Sequence, residues 1–299
     1  MNVYNMPFSR VCTCLVQKAV RTGETSERKE EGSDMRIETI KMDDFTMDYC
    51  RFGHGAEALV ILPGLSVQRV MGLADAVAQA YQPLAEDFTI YVFERRNELP
   101  DAYPVQDMAR DTAEALRALG LGPVCLFGAS QGGMMAMEIA MEHPELVRRL
   151  ILGSTSARVT EAQTRAVENW IRLAKAGDAA ALYLAFGEAI YPKDVFEQSR
   201  ALLLAAAETV TDEDLNRFVI LAEGLRGFDV EAELDKIACP VLVLGSTDDR
   251  VLGGEASARI AEHVKDGELY MYDGYGHAVY DLAPDYKERM LRFLISVGD

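Results

Sequence analysis

The sequence is short of cations. It carries 30 lysine and arginine residues against 48 acidic ones, a formal charge of -18, and nowhere do the basic residues gather into a stripe with interleaved aromatics. Such a field repels phosphate backbones and anionic membrane surfaces, which excludes nucleic acid as a partner. Long apolar runs are missing too. The best of them, such as Ala58 to Leu62, are strand-sized and stop at Pro or Gly, so none has the length a membrane-crossing helix needs. The four histidines show neither HxH nor HExxH spacing, and the phosphate-cradling patterns GxGxxG and GxxxxGK[ST] are absent. No metal site and no cofactor is implied. Five cysteines (Cys12, Cys14, Cys50, Cys125, Cys239) form no CxxC pair, and three lie in or beside apolar strand-like runs. Reduced thiols in a cytoplasm fit this pattern better than disulfides.

What is present divides into three parts. Residues 1–34 are polar and aperiodic, and their five basic residues cancel five acidic ones, so the whole -18 belongs to residues 35–299. They lack the uninterrupted apolar stretch of a signal peptide. They read as a disordered or leader extension, with Met35 as the natural start. From Arg36 the pattern is regular: two strands, Arg36 to Met42 and Phe45 to Phe52, around the Asp43-Asp44 turn, then a buried strand Ala58 to Leu62. Strands and helices then alternate through Thr89 to Glu94, Val105 to Leu119, Val124 to Phe127, Gln131 to Glu142 and Arg149 to Leu152. The alternation resumes with Val241 to Leu244, Glu255 to Val264, Glu268 to Tyr272 and Pro284 to Ile295. Alternation of this kind predicts an α/β fold, with a mainly parallel central sheet, helices on both faces and an antiparallel edge. The core is expected to comprise residues 35–154 and 237–299. Between them, residues 155–236 are helical in pattern and read as a cap inserted after the sixth strand, over the sheet's carboxyl edge, where ligands bind in open α/β sheets. Of its aromatics (Trp170, Tyr183, Phe186, Tyr191, Phe196, Phe218 and Phe228), most should form its own core and a few should line a pocket.

One stretch carries chemistry. Gly128-Ala129-Ser130-Gln131-Gly132 fits GxSxG, with a strand before it and a helix after it, the context in which a serine is held exposed on a sharp turn. A serine hydroxyl needs a base that is itself oriented by a third group. His54, His143 and His263 lie in a hairpin turn, at a helix end and on a charged helix, whereas His277 follows the last strand directly and so falls on the same edge as Ser130. The strand Val241 to Leu244 leads into Gly245-Ser246-Thr247-Asp248-Asp249, which offers two acids: Asp248 is preferred as the partner of His277, with Asp249 as the alternative. Asp273 reads as a turn former. Backbone N–H groups of Leu65, after Leu62-Pro63-Gly64, and of Gln131 are expected to form an oxyanion hole, each donor contributing about 3 to 4 kcal/mol to a transition state. Arg95 and Arg96 follow a strand at this edge, but read as partners for the surplus acids.

Taken together, these motifs resemble the α/β-hydrolase superfamily, in its capped branch of small serine hydrolases, over about residues 36–299. The resemblance rests on Leu62-Pro63-Gly64-Leu65, Gly128 to Gly133, His143-Pro144-Glu145-Leu146-Val147, Pro240 to Gly245 with Asp248, and Gly276-His277. It implies the chain order Ser130, Asp248, His277. It also implies an acid three residues beyond the strand-end glycine, which selects Asp248. The expected activity is cleavage of a small, largely apolar carboxylic ester through an acyl-enzyme, without cofactor. The same triad also serves carbon–carbon and amide bond hydrolases, and the fold has ligand-binding members without turnover.

Overall fold

Val, Ile and Leu runs too short for helices pair into one eight-stranded sheet: β1 (Arg36–Lys41), β2 (Thr46–Phe52), β3 (Glu57–Leu62), β4 (Phe88–Arg96), β5 (Val124–Ala129), β6 (Val147–Gly153), β7 (Val241–Ser246) and β8 (Gly267–Tyr272). The computed structural model describes residues 35–296. The expected N-terminal extension, with Cys12 and Cys14, lies outside the described residues. The strand order is β1-β2-β4-β3-β5-β6-β7-β8. Only β2 runs against the others, so the antiparallel edge is the β1–β2 hairpin. The chain steps outward from β3 to β4 and then crosses back to place β5 on the other flank of β3. That reversal opens a crevice at the carboxyl ends of β3 and β5, the usual ligand position in such sheets.

Side chains alternate across each strand. In β5, Val124 and Leu126 join an apolar cluster on one face, while Cys125 and Phe127 join the cluster on the other. The first face is covered by α2 (Val105–Ala118) and α3 (Gln131–Glu142), and the second by α1 (Ala74–Tyr81) and a late helix, α10 (Tyr286–Ile295). The sequence reading marks no helix between residues 62 and 89, where α1 sits. Its buried stripe is Ala74, Ala78 and Tyr81 with Ala76 beside it, and alanine is too small to mark a periodic apolar face.

Between β6 and β7 the chain makes a helical excursion of α4 (Glu161–Lys175), α5 (Ala179–Ile190), α6 (Lys193–Ala207) and α7 (Asp212–Glu223). Its two ends are stitched by Val159 N to Phe228 O at 2.9 Å and Val230 N to Ala157 O at 2.8 Å. After β7 come α8 (Ala256–His263) and, beyond β8, the single-turn α9 (Val279–Leu282) ahead of α10. Cys50, Cys125 and Cys239 are free thiols. Burial pushes Cys50 up to about 12 and Cys239 to about 11, so both stay protonated and behave as small apolar side chains. Among the described residues no helix is long and apolar enough to cross a membrane.

Candidate active site

β5 ends in a corner that only close packing permits. Ser130 has φ +53° and ψ -120°, a conformation costly for any residue with a Cβ. Its backbone is fixed on both sides: Ser130 N donates to Gly153 O at 2.9 Å, and Ser130 O accepts from Thr155 Oγ1 at 2.7 Å and from Gly133 N at 2.9 Å. The next turn of the chain lies so near β3 that a Cβ on Gly132 would stand 1.9 Å from Leu62 O. Glycine is therefore required there, and the Ser130 corner and the loop after β3 are pressed together.

His277 enters from the loop after β8. Its Nε2 lies 3.0 Å from Ser130 Oγ, and its Nδ1 lies 2.8 Å from Asp249 Oδ2. An ionised carboxylate only accepts, so Nδ1 carries the proton and Nε2 of the neutral ring is free to accept from the serine hydroxyl. Asp249 Oδ1 accepts from Val251 N at 2.8 Å and Leu252 N at 3.0 Å. Burial opposes its charge, yet the His277 imidazole and those two amides hold it below the ordinary carboxylate value. His277 and Asp249 are 3% and 7% exposed, so water competes little for either bond.

The preference for Asp248 over Asp249 is corrected by this geometry. β7 runs one residue past the glycine, to Ser246, which shifts the following turn by one position. The Asp248 carboxylate is then turned outward and taken up by Ser246 Oγ at 2.6 Å and by the amides of Gly274 and Gly276. It pins the β7 turn to the loop that carries His277, and Asp249 faces the ring. Asp273 accepts from Thr247 Oγ1 at 2.7 Å, within the same pair of turns. The other histidines lie elsewhere: His54 is exposed, His143 contacts Arg117, and His263 bonds Arg259 O.

Ser130 and His277 open onto a cavity lined also by Gly64, Leu65, Gln131 and Tyr280. Trp170 and Phe186 of the excursion form part of its wall, their ring centroids 4.7 Å apart, whereas Phe196, Phe218 and Phe228 are buried away from it. Among the described residues, no group of three or more His, Cys, Asp or Glu side chains is placed to hold a metal ion.

Arg95 is the residue that sequence reasoning misplaced. It is 3% exposed, and its Nη2 donates to Pro63 O at 2.8 Å and to Gln131 Oε1 at 3.1 Å. Burial lowers it to about 10, against the opposing pull of Glu94, which leaves it cationic at neutral pH. It thus bridges the two backbone segments that carry Leu65 and Gln131. Gln131 Nε2 continues the chain to Leu221 O at 2.7 Å, a carbonyl in the last turn of α7 that has no partner within its own helix. Arg96 turns instead to Asp111 and Asp44. The available signal was position: β4 neighbours β3 in parallel, so its last buried residue must abut the loop after β3.

A second buried link joins the excursion to the sheet. Arg217 of α7 donates to Glu94 Oε1 at 2.7 Å, both side chains almost fully enclosed, and Glu94 Oε2 accepts from Val70 N at 2.6 Å. Removing one partner strands a buried charge. Arg217→Met is expected to lower the unfolding free energy by about 3–5 kcal/mol in urea titrations. Arg226→Met, which breaks an exposed pair with Glu168, should cost no more than about 1 kcal/mol. Equal losses would mean that burial of the Arg217 pair carries no special weight.

Comparison with known proteins places the chain. Residues 100–281 match the family described as serine aminopeptidase, S33. The chain belongs to this family of α/β hydrolases. Among curated relatives of this S33 member, the protein named "Putative carbamate hydrolase RutD" from Rhizobium rhizogenes is 28% identical over 249 residues, 80% of this chain and 93% of that one. A protein of the same name from Agrobacterium fabrum is 28% identical over 223 residues, 72% and 85% of the two chains. Two solved structures share the fold: an α/β hydrolase from a Medee basin deep-sea metagenome library and the enol-lactonase from Burkholderia xenovorans. The first has a TM-score of 0.78 at 19% identity over 88% of this chain and 98% of that one. The second has 0.75 at 17%, over 87% and 100%.

Proposed function

We propose that this S33-family hydrolase cleaves a small, largely apolar carboxylic ester through an acyl-enzyme, with Ser130 as nucleophile, His277 as base and then acid, and Asp249 as the orienting acid. The observation that carries this reading is the unbroken hydrogen-bonded chain from Ser130 Oγ through His277 to Asp249, which opens into an otherwise mostly apolar cavity. Ser130 Oγ attacks the acyl carbonyl as His277 Nε2 takes its proton. The imidazolium so formed is stabilised by Asp249 and returns the proton to the leaving alkoxide. Water, deprotonated by the same ring, releases the acid. The amides of Leu65 and Gln131 face the developing oxyanion, and Arg95 holds both of their segments in place. The helices α4 to α7 act as a cap that excludes water over the cavity. No cofactor enters the reaction, the substrate is a small molecule, and the protonated, unpaired thiols suit a reducing cytoplasm.

The name borne by the relatives favours a second reading, hydrolysis of a carbamate, whose carbonyl the same serine would attack. A fluorophosphonate probe is expected to label Ser130 stoichiometrically, and 4-nitrophenyl acyl esters are expected to turn over faster than the matching N-alkyl carbamates. Faster carbamate turnover would select the second reading. Absence of labelling at Ser130 would sink both.

A further inference from the structure

Facing Ser130 from the cap, the cavity wall is built from Val167, Trp170, Phe186, Ile190 and Leu225. Gln163 interrupts it. That residue lines the same cavity, yet it is 3% exposed. The recorded hydrogen bond of its side chain, among the described residues, is a long one in which Ser156 Oγ donates to Oε1 at 3.4 Å. The amide nitrogen has no recorded partner among those residues, and it is not among the sealed, unpaired buried atoms, so it keeps its access to the cavity that Gln163 lines.

The local sequence offers Gln163 a different place. Thr160-Glu161-Ala162-Gln163 has the form in which a threonine caps the helix and a glutamine three residues on reaches back to the threonine's own N–H. Half of that arrangement exists, because Thr160 Oγ1 accepts from Gln163 N at 3.3 Å. The return bond is not among those recorded at the head of α4, although Thr211 and Asp214 make both halves at the head of α7. The Gln163 side chain lies in the cavity rather than closing the box on its own helix. Ser156, 4% exposed, accounts for its carbonyl and leaves the N–H groups for whatever fills the space.

We propose that Gln163 is a substrate-recognition residue: its amide donates to a second carbonyl oxygen of the substrate, remote from the carbonyl attacked by Ser130. The substrate class is thereby narrowed from simple apolar esters to uncharged oxo-acyl esters. Lys, Arg, Asp and Glu are all absent from the cavity lining, so a charged substituent would be left unpaired there. The proposal rests on the serine-hydrolase reading of the same cavity.

The test compares 4-nitrophenyl pentanoate, hexanoate and heptanoate with the 4-oxopentanoate, 5-oxohexanoate and 6-oxoheptanoate esters. At one or more lengths the protein is expected to favour the oxo ester in kcat/KM by about three- to tenfold, the value of one well-placed neutral hydrogen bond. In Gln163→Met, which keeps length and bulk, that ratio should fall to about one. In Gln163→Glu, an acceptor facing an acceptor, it should fall below one. Fluorophosphonate labelling of Ser130 in each variant reports that the site is still assembled. If the wild-type protein shows no oxo preference at any length, or if the preference survives in both variants, the proposal is overturned. If the wild-type protein is not labelled at all, the serine-hydrolase reading fails, and this proposal fails with it.

Discussion

Ser130→Ala is expected to lower kcat for a 4-nitrophenyl ester by about 10⁶-fold, the scale seen when a triad serine is removed from a protease of unrelated fold. The reason is specific to the corner at the end of β5. Every other part of the site is held independently of the serine hydroxyl: His277 by Asp249, Asp249 by two amides, and the segments that carry Leu65 and Gln131 by Arg95. Alanine therefore removes the proposed nucleophile and little else, and unfolding should be almost unchanged. Glycine at the same position separates chemistry from strain. It tolerates φ +53° without the Cβ penalty, so Ser130→Gly should be as inactive as Ser130→Ala but more stable, by about 1 kcal/mol in thermal or urea unfolding. Activity within tenfold of wild type in Ser130→Ala would rule Ser130 out as nucleophile. Ser130→Gly no more stable than Ser130→Ala would mean that the corner is unstrained.

Local pattern carried most of the fold. Runs such as Val241 to Leu244 and the GxSxG corner are decided by residues adjacent in sequence, and the structure puts strands and α3 within a residue or two of those positions. The meeting of Ser130 with His277 was legible for a topological reason, since in a parallel sheet every loop that follows a strand emerges at one edge. What stayed hidden depends on direction rather than position. Whether Asp248 or Asp249 faces the ring turns on where β7 ends, at Ser246 rather than Leu244, and strand ends are the least determined points of such a reading. Arg95 was read as a partner for the surplus acids, but its partners, Pro63 O and the Gln131 side chain, are not acids and lie 32 and 36 residues away. Gln163 was not singled out in the sequence, where nothing marks one polar residue of a helix as facing a cavity.

Two adjacent carboxylates with opposite directions supply the other large effect. Asp249→Asn replaces the acceptor that fixes the imidazole with an amide that can donate toward Nδ1. That favours the tautomer with its proton on Nε2, and the ring can then no longer take a proton from Ser130. A loss of about 10⁴-fold in kcat is expected, as for the same exchange in a triad of this kind. The amides of Val251 and Leu252 can still find the side-chain oxygen, so the loss should appear at constant fold. Asp248→Asn touches the site only through the turn: it weakens the ties to Ser246, Gly274 and Gly276, and His277 keeps its partner. A fall of less than about tenfold in kcat, with a small drop in unfolding temperature, is the expected outcome. Both carboxylates are held below the ordinary value in the folded protein, so the comparison is made cleanly near pH 7, where each is ionised in the folded and unfolded chain alike. The reverse ranking, with Asp248→Asn the more damaging to kcat, would return the role of triad acid to Asp248.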